Sequence, residues 1–313
     1  MNTTLQTTIR NEIRLSGVGV HSGDRATVRL QPAGADAGIV FVSVANGGEI
    51  EIPALHSSVV STARCTVLGN ERGSIATVEH LMAAIAGLGI DNLLVEVDGP
   101  EMPIMDGSSA PFVEAILAVG IRAISAPRRY IKVLKPVRVQ EGGASGELLP
   151  FDGRRVELEI RFDDELIGRQ SYAFDFAGGS FARDVSRART FGFLRDVETM
   201  WAKGLALGAS LDNTLVVGEG EVVNPEGLRY ADEFVRHKVL DAIGDLSLAG
   251  APILGSYRSV RGGHRINAAV VSALMADPDA WSWSYGQPSG RRSAAHADLG
   301  ARLPAAAYGP EVS

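Results

Sequence analysis

Hydrophobic and polar positions along the chain form two successive series, and each series runs from strand-like to helix-like patterns. In the first series, β-branched and apolar residues separated by Gly, Pro and Asp predict strands. Apolar residues then recur at helical spacing over 77–88, and Gly87 and Gly89 end this helix. A second helix is predicted over 110–119, with Pro111 in its first turn. The predicted strands of this series are 9–15, 26–30, 39–44, 61–68 and 92–97.

The second series begins after Pro127 and repeats this order. Alternation of apolar and polar residues is clearest over 156–160, which is typical of a half-buried strand. The longest helical pattern of the chain covers 230–249. The predicted strands are 130–139, 156–162, 170–176, 215–217 and 253–260, and the predicted helices are 193–203, 230–249 and 264–275.

The two series predict an α+β fold of two similar domains, residues 1–126 and 127–276, each with layers of β-sheet and α-helix. Their helix–strand–helix endings, 77–119 and 230–275, correspond and indicate a pseudo-repeat, although chance recurrence of a common motif explains them about as well. Residues 277–313 are rich in Ala, Ser, Gly, Pro and Arg without periodicity, so we expect mostly disorder there.

Composition excludes several classes of protein. The 313 residues are 45% hydrophobic and 21% charged, as in globular proteins, which excludes a disordered or fibrous chain. A formal net charge of -7 argues against a nucleic-acid partner, because such proteins present basic patches. No apolar run approaches the roughly 18–20 residues of a membrane span. Cys65 is the single cysteine, so no intrachain disulfide forms, which fits a reducing cytoplasm.

The chain has six histidines, and one of them opens the sharpest local motif. His237 and Asp241 lie four residues apart in the longest predicted helix, so their side chains share one face and can bind one metal ion. Asp245 follows one turn later and can orient a neighbouring group. Alone the pair is weak evidence, because helical salt bridges use the same spacing.

Two further motifs place acid–base residues near predicted helix starts. A carboxylate such as Glu79 beside a ligand imidazole such as His80 can take a proton from water, as in zinc proteases. Alone, this pair is better explained by a Glu that the helix dipole favours and a surface His. His264 follows Gly262 and Gly263, and in isolation it too is better explained as a helix-start or loop histidine.

Taken together, the three motifs favour a functional site over the separate structural explanations. His80, His237 and Asp241 supply three ligands from two distant segments and leave a fourth position for water, which is typical of a catalytic zinc site. A structural zinc site needs four ligands, usually cysteines, and this chain has one Cys.

Longer motifs carry a resemblance to a known family over about residues 5–276. The sequence resembles the UDP-3-O-acyl-N-acetylglucosamine deacetylases, the zinc amidases of lipid A biosynthesis in Gram-negative bacteria. Several long motifs in the right order make this resemblance specific. The motifs are GVGVHSG at 17–23, TVEHL at 77–81, GIDN at 89–92, PIMDG at 103–107, ARTFGF at 188–193 and HKVLDAIGD at 237–245.

The resemblance implies an active site between the two domains and one Zn²⁺ per chain, with Fe²⁺ as an alternative in the cell. The metal ligands would be His80, His237 and Asp241, and Glu79 would be the general base.

Three further residues would complete the catalytic set. His264, held by Asp245, would stabilise the oxyanion or act as the acid, and the sequence leaves open whether it or Glu79 protonates the leaving amine. Thr190 would offer a hydroxyl to the tetrahedral intermediate, and a β-branched strand or turn residue is the alternative.

The resemblance also implies the substrate, a UDP-linked amino sugar that carries a 3-hydroxyacyl chain. Lys238 follows His237 by one residue, so its side chain should point about 100° away from it around the helix. It would meet the diphosphate, with a solvated helix lysine as the alternative. Phe191 and Phe193 would pack on the sugar or the uridine, with ordinary core packing as the alternative. Asp196 would hydrogen-bond the sugar or form a surface salt bridge.

The acyl chain requires an apolar passage, which the family builds from a βαβ-type insert in the second domain. Each residue of this passage would alone be assigned to the core. Cys65 lies in the corresponding insert of the first domain, about 61–70, and a small buried apolar residue is the alternative there. The passage maps onto Leu194, Val197, Met200, Ala206, Ser210 and Val216.

The leading hypothesis is therefore a cytoplasmic, monomeric, metal-dependent amidohydrolase that removes acetate from this substrate, the committed step of lipid A biosynthesis. A silent binder of nucleotide sugars or acyl chains would need neither Glu79 nor His264. A metallohydrolase with another amide substrate would need neither Lys238 nor the passage.

Overall fold

The computed structural model describes residues 4–44, 48–177 and 180–286, and it has the predicted α+β class. The predicted helix over 110–119 is confirmed at both ends, and the longest helix is shorter than its pattern at both ends. Within the described ranges no helix is long and apolar enough to cross a membrane. The helices are α1 (Glu79–Leu88), α2 (Ala110–Val119), α3 (Phe181–Asp184), α4 (Val197–Ala202), α5 (Glu233–Ser247) and α6 (His264–Ala276).

Strands of the first half form three sheets. A five-stranded sheet has the order β2-β3-β9-β4-β5, a three-stranded sheet has the order β6-β7-β8, and β1 pairs antiparallel with β10. The strands are β1 (Leu5–Ile9), β2 (Ile13–Val18), β3 (Arg25–Pro32), β4 (Ile39–Ser43), β5 (Ile50–Pro53), β6 (Val59–Ser61), β7 (Val67–Asn70), β8 (Gly73–Ile75), β9 (Leu93–Asp98) and β10 (Ile121–Pro127).

Strands of the second half form a seven-stranded sheet and a small parallel pair. In the large sheet β18 pairs with β11, β13 and β14, while β12, β15 and β19 lie further out. The strands are β11 (Arg129–Val133), β12 (Val137–Glu141), β13 (Ala144–Leu149), β14 (Arg154–Arg161), β15 (Arg169–Asp175), β16 (Phe191–Phe193), β17 (Leu215–Val217), β18 (Ile253–Val260) and β19 (Trp281–Tyr285).

The two halves end on the same order of elements, as their hydrophobic patterns predict. The order α1-β9-α2 precedes the last strand of the first half, β10, and the order α5-β18-α6 precedes the last strand of the second, β19. Among the described strands, every sheet draws its members from one side of the chain position after Pro127. Helices α1 and α5 pack against each other, and Gly244 permits this because a Cβ there would collide with the Glu79 carbonyl oxygen.

The segment after α6 is ordered as far as the structure describes it, so the expected disorder is wrong for residues 277–286. Strand β19 pairs antiparallel with β11, where Val133 faces Trp281 and Ile131 faces Trp283. The sequence WSWSY alternates large and small side chains, and this short period-2 pattern is typical of a strand. Residues 287–313, which the same prediction covers, lie outside the described residues.

Two predicted elements differ in ways that bear on function. The predicted strand over 61–68 is instead a hairpin of β6 and β7, and the loop over 62–66 that joins them carries Cys65 and Thr66 inward. The predicted helix over 193–203 is shorter, because its first residues form β16 and a single 3-10 turn before α4. Since β16 and β17 pair in parallel around α4, this segment is a small βαβ unit.

Candidate active site

The first turn of α1 and one face of α5 form the walls of a buried polar pocket between the two halves. Glu79 and His80 open α1 directly after Thr77 and Val78, and a φ of 60° at Thr77 turns the chain sharply there. His237 and Asp241 lie on successive turns of α5, and all four of these functional side chains are buried. The i, i+4 spacing therefore delivers two side chains to one point, as predicted.

One ligand atom from each of His80, His237 and Asp241 lies within 4.8 Å of the other two. Oδ1 of Asp241 is 3.3 Å from Nε2 of His237 and 3.7 Å from Nε2 of His80. Nδ1 of His237 lies 3.1 Å from the carbonyl oxygen of Ala188, which directs Nε2 toward this point. Oδ1 of Asp241 is buried and makes no hydrogen bond among the described residues, as expected of an atom reserved for a cation.

The protonation states of the three side chains suit a metal, which binds imidazole and carboxylate in their deprotonated forms. Burial and the neighbouring His237 lower the pKa of His80 to about 3, and burial also lowers the pKa of His237. Burial alone raises the pKa of Asp241, but His237 and Lys238 outweigh it and hold that pKa below its ordinary value. Two neutral imidazoles and one carboxylate therefore fit a dication such as Zn²⁺.

Glu79 lies beside the three ligand atoms and is held by one of its two oxygens. The backbone N–H of Thr66 donates to Oε2 at 3.1 Å, while Oε1 is 3.7 Å from Nε2 of His264. Burial raises the pKa of Glu79 to about 7, against the lowering effect of His264. A carboxyl group with this pKa can both take and return a proton near neutral pH.

His264 opens α6 and is oriented by a chain of buried hydrogen bonds. Its Nδ1 is 2.9 Å from Oδ2 of Asp245, and Asp245 also accepts from Thr66 Oγ1 at 2.6 Å and from Asn267 Nδ2 at 2.8 Å. Tyr257 donates its hydroxyl to Asn267 Oδ1 at 2.7 Å. Burial lowers the pKa of His264, but the Asp245 and Glu79 carboxylates outweigh it and raise it to about 9.

The sequence analysis missed two residues of this hydrogen-bond network, Thr66 and Asn267. Thr66 lies in a loop with no motif, although it follows Cys65 directly. Asn267 lies three residues after His264 in α6, so helical spacing from a candidate histidine was the available signal.

Lys238 does not point away from the ligands, contrary to the prediction from its position in the helix. Its Nζ donates to Oδ2 of Asp241 at 2.9 Å, and it lies 5.7 Å from the centroid of the Phe191 ring. The position of Lys238 on the helix does not fix the position of its ammonium group, because four methylenes let that group fold back along α5. The lysine therefore pairs with Oδ2 of Asp241, while His80 and His237 lie near Oδ1.

The segment that contains Thr190 and Phe191 is fixed against α5 by a buried ion pair that the sequence analysis missed. Both the backbone N–H and Nε of Arg189 donate to Oε1 of Glu233, at 3.0 and 2.9 Å. The Thr190 N–H donates to the Gly107 carbonyl oxygen at 2.7 Å. The Phe191 ring centroid lies 6.3 Å from that of the His237 ring.

The residues assigned to the acyl passage lie in the βαβ unit and differ widely in exposure. Leu194 is 55% exposed, whereas Ala206 is buried with a φ of 56°. Phe193 packs near Phe162, with ring centroids 5.9 Å apart. Asp196 ends the 3-10 turn before α4. The remaining members are half-buried or exposed: Val197, Met200, Ser210 and Val216.

Cys65 is a buried free thiol in the loop between β6 and β7. Burial and the nearby Glu79 raise its pKa to about 12, so it stays protonated near neutral pH. A protonated, buried thiol behaves as a small apolar side chain rather than as a nucleophile.

Comparison with known proteins agrees with this geometry. The model of the family "UDP-3-O-acyl N-acetylglycosamine deacetylase" matches residues 6–276. The chain belongs to this deacetylase family. A relative from Brucella ovis named UDP-3-O-acyl-N-acetylglucosamine deacetylase is 53% identical over 277 residues, which cover 88% of this chain and 97% of the relative. Relatives of the same name from Brucella canis and Brucella abortus match equally well. The deacetylase family match covers all the pocket residues described above.

Proposed function

We propose that this protein hydrolyses the 2-acetamido group of UDP-3-O-(3-hydroxyacyl)-N-acetylglucosamine with the help of one Zn²⁺. The products are acetate and the free amine, and the reaction is the committed step of lipid A biosynthesis. The observation that carries this proposal is the meeting of the three buried ligand atoms of His80, His237 and Asp241, with Glu79 and His264 beside them.

The donor set supports Zn²⁺ as the metal, because zinc accepts imidazole nitrogen and carboxylate oxygen and catalytic sites keep one further position open. When bound, the ion polarises the amide carbonyl and makes a water easier to deprotonate. Fe²⁺ accepts the same donors and is the alternative in the cell. Metal analysis of protein purified under anaerobic conditions distinguishes the two ions.

The residues of the chain carry out the proton transfers. Oε1 of Glu79 accepts the proton of the attacking water, because the Thr66 N–H already holds Oε2. Nδ1 of His264 faces Asp245, so a protonated Nε2 points into the pocket and stabilises the negative charge on the carbonyl oxygen. Thr190 offers a hydroxyl to the same tetrahedral intermediate. The C–N bond then breaks, and the amine takes a proton from Glu79 or from His264.

The substrate is held on the α5 side of the pocket. Lys238 supplies a cation for the UDP diphosphate, and its 5.7 Å distance to Phe191 supports a shared face for diphosphate and sugar. Phe193 and Asp196 contact the sugar from the βαβ unit. The acyl chain lies along this unit, against Leu194, Val197, Met200, Ala206, Ser210 and Val216, with Cys65 on the opposite flank.

We further propose that the enzyme is a monomer that acts in the cytoplasm, without a nucleic-acid partner. All ligands and proton carriers come from one chain, so the pocket is complete without a second subunit. The single cysteine, Cys65, is a buried free thiol, which fits a reducing cytoplasm. Sedimentation analysis at micromolar concentration tests the monomer, and a peak at twice the chain mass contradicts it.

Acetate release from the UDP-linked substrate, with chelation and metal addition, tests the function. We expect activity to fall to background after chelation and to return with one equivalent of Zn²⁺. His80→Ala should lose both stoichiometric zinc and turnover, because two ligands hold the ion much less tightly than three. His56→Ala is the matched control, since His56 lies in a 3-10 turn apart from the ligand set. Full turnover by metal-free protein would falsify the proposal.

A further inference from the structure

A cavity of about 400 Å³ lies between the two halves, on the other side of α1 and α5 from the metal ligands. Its walls include Met82 and Ile85 of α1 and Ile243 and Leu246 of α5. None of the residues assigned above to metal binding, catalysis or substrate binding lines it. Cavities of this size commonly bind small molecules.

One end of the cavity carries an arginine that lacks an anionic partner. Arg154 opens β14, where the side chains of Val156, Leu158 and Ile160 are buried, so alternation places Arg154 on the same inward side. Its guanidinium lies 3.8 Å from the centroid of the Phe176 ring. Among the residues that the structure describes, no carboxylate forms a salt bridge with Arg154.

The neighbouring arginines already have carboxylate partners. Nε of Arg128 donates to Asp91 at 2.8 Å, and Arg129 pairs with Asp36 at 3.1 Å. Both pairs line the cavity, and Arg155, which lines it too, pairs with Asp175 and Glu157. Of the four arginines that line the cavity, Arg154 is therefore the one without a salt bridge to a carboxylate of the described residues.

A guanidinium without a carboxylate partner beside apolar walls raises the free energy of the folded protein, because burial removes its hydration. An anion that pairs with it offsets this penalty. Burial and the nearby Arg128 lower the pKa of Arg154 to about 10, so the guanidinium is still charged at neutral pH. A single positive charge matches a monoanion such as a carboxylate better than a dianionic phosphate. The apolar side chains of α1 and α5 match an aliphatic body attached to that carboxylate.

We propose that this cavity is a second binding site, separate from the metal centre, for an amphipathic carboxylate. Its head group pairs with Arg154 in a two-pronged hydrogen bond, and its aliphatic body lies along Met82, Ile85 and Leu246. The ligand class is a medium-chain aliphatic monocarboxylate. Because the ligand touches the backs of α1 and α5, it contacts the same helices that present the metal ligands on their opposite faces.

Isothermal titration of the whole protein with decanoate tests the site. We expect saturable binding at this cavity in the unaltered protein and about tenfold or greater loss of its affinity in Arg154→Met, because a charge-assisted hydrogen bond is lost. Arg161→Met is the matched control: Arg161 is the last residue of β14, lies outside the cavity lining and pairs with Glu159, so decanoate affinity should stay within about twofold. Decan-1-ol, which has no charge, should bind the unaltered protein at least about tenfold more weakly than decanoate.

A second measurement separates this cavity from the acyl passage. Methyl-¹³C methionine gives NMR signals for Met82 in the cavity wall and for Met200 in the βαβ unit. Decanoate should shift the Met82 signal in the unaltered protein and in Arg161→Met but not in Arg154→Met. Equal binding to Arg154→Met, a shift confined to Met200, or no saturable binding at millimolar decanoate overturns the proposal. If Arg154→Met does not fold, Arg154→Gln replaces it with the same expectations.

Discussion

The metal centre and the βαβ unit are built in opposite ways, although the proposed reaction needs both. At the proposed metal centre the side chains of Glu79, His80, His237, Asp241, Asp245 and His264 are buried, and several are held by another element, as Asp245 is by Thr66 and Asn267. In the βαβ unit, by contrast, large apolar side chains face solvent: Leu194 and Trp201 are each 55% exposed, and Leu207 is 53% exposed.

This difference indicates a division of labour between fixed and adaptable parts. Bond-breaking chemistry gains from donors that are already in position, so a rigid network suits the metal centre. An acyl chain presents only apolar surface without directional groups, and a loosely packed apolar surface can accept it. Substitutions should therefore have large effects at the metal centre and small, substrate-dependent effects in the βαβ unit.

The largest effect is expected from Glu79→Gln, which keeps the shape of the side chain but removes the proton acceptor. We expect kcat to fall by about 10²- to 10⁴-fold, the usual contribution of a general base. Bound zinc should remain stoichiometric, because Glu79 is not one of the three ligand residues. Steady-state acetate release and metal analysis measure both quantities. Glu198→Gln, in the exposed first turn of α4, is the control, and equal losses in both variants would contradict the role of Glu79.

A smaller loss is expected from Asp245→Asn, which leaves His264 in place but removes the carboxylate that orients it. We expect kcat to fall by about 10- to 100-fold, the loss typical of partners that orient active-site ligands. KM should change little, since Asp245 lies behind His264 rather than against the substrate. An unchanged kcat, or a loss confined to KM, would show that the orientation of His264 is not set by Asp245.

The contrast between the metal centre and the βαβ unit also explains how far the sequence alone could predict the site. The proximity of His237 and Asp241 could be predicted because helical spacing is a local rule, and the short TVEHL motif pointed to Glu79 and His80 as candidates. Thr66 could not be found in this way, since 179 residues separate it from Asp245 and only the folded chain brings the two together. The fold class and the helix–strand–helix repeat likewise follow from local periodicity.

What the sequence could not predict are long-range and side-chain effects. The strand β19 pairs with β11, which is about 150 residues earlier in the chain, so its short pattern was read as part of a featureless tail. The direction of Lys238 was wrong because a flexible side chain responds to a nearby carboxylate rather than to helix geometry. Roles in the βαβ unit came from family resemblance alone, since no local rule marks an apolar passage.

A further test of the network is Thr66→Val, which keeps the shape of the side chain and removes the hydroxyl donor to Asp245. An unsatisfied buried carboxylate oxygen costs about 1–3 kcal/mol, so the free energy of unfolding should fall by that amount. We expect kcat to fall by about fivefold to tenfold, because Asp245 and His264 lose part of their support. Thr66→Ser retains the donor and should recover most of both losses in urea titration and in turnover. If the serine variant behaves as the valine variant does, the hydroxyl is not what matters.

The smallest effect is expected from Leu194→Ser in the βαβ unit. Because Leu194 is 55% exposed, its replacement should change the free energy of unfolding by less than about 0.5 kcal/mol. An acyl chain that covers this leucine would lose part of its apolar contact, so kcat/KM for the long-chain substrate should fall by about twofold to tenfold. A UDP-linked substrate with a short acyl group cannot reach the residue and should be hydrolysed at an unchanged rate. Leu117→Ser on α2, where the leucine is 48% exposed, is the control and should affect neither substrate. Equal losses for long and short acyl groups would mean that Leu194 acts through the structure of the βαβ unit, and the proposed path of the acyl chain would then be wrong.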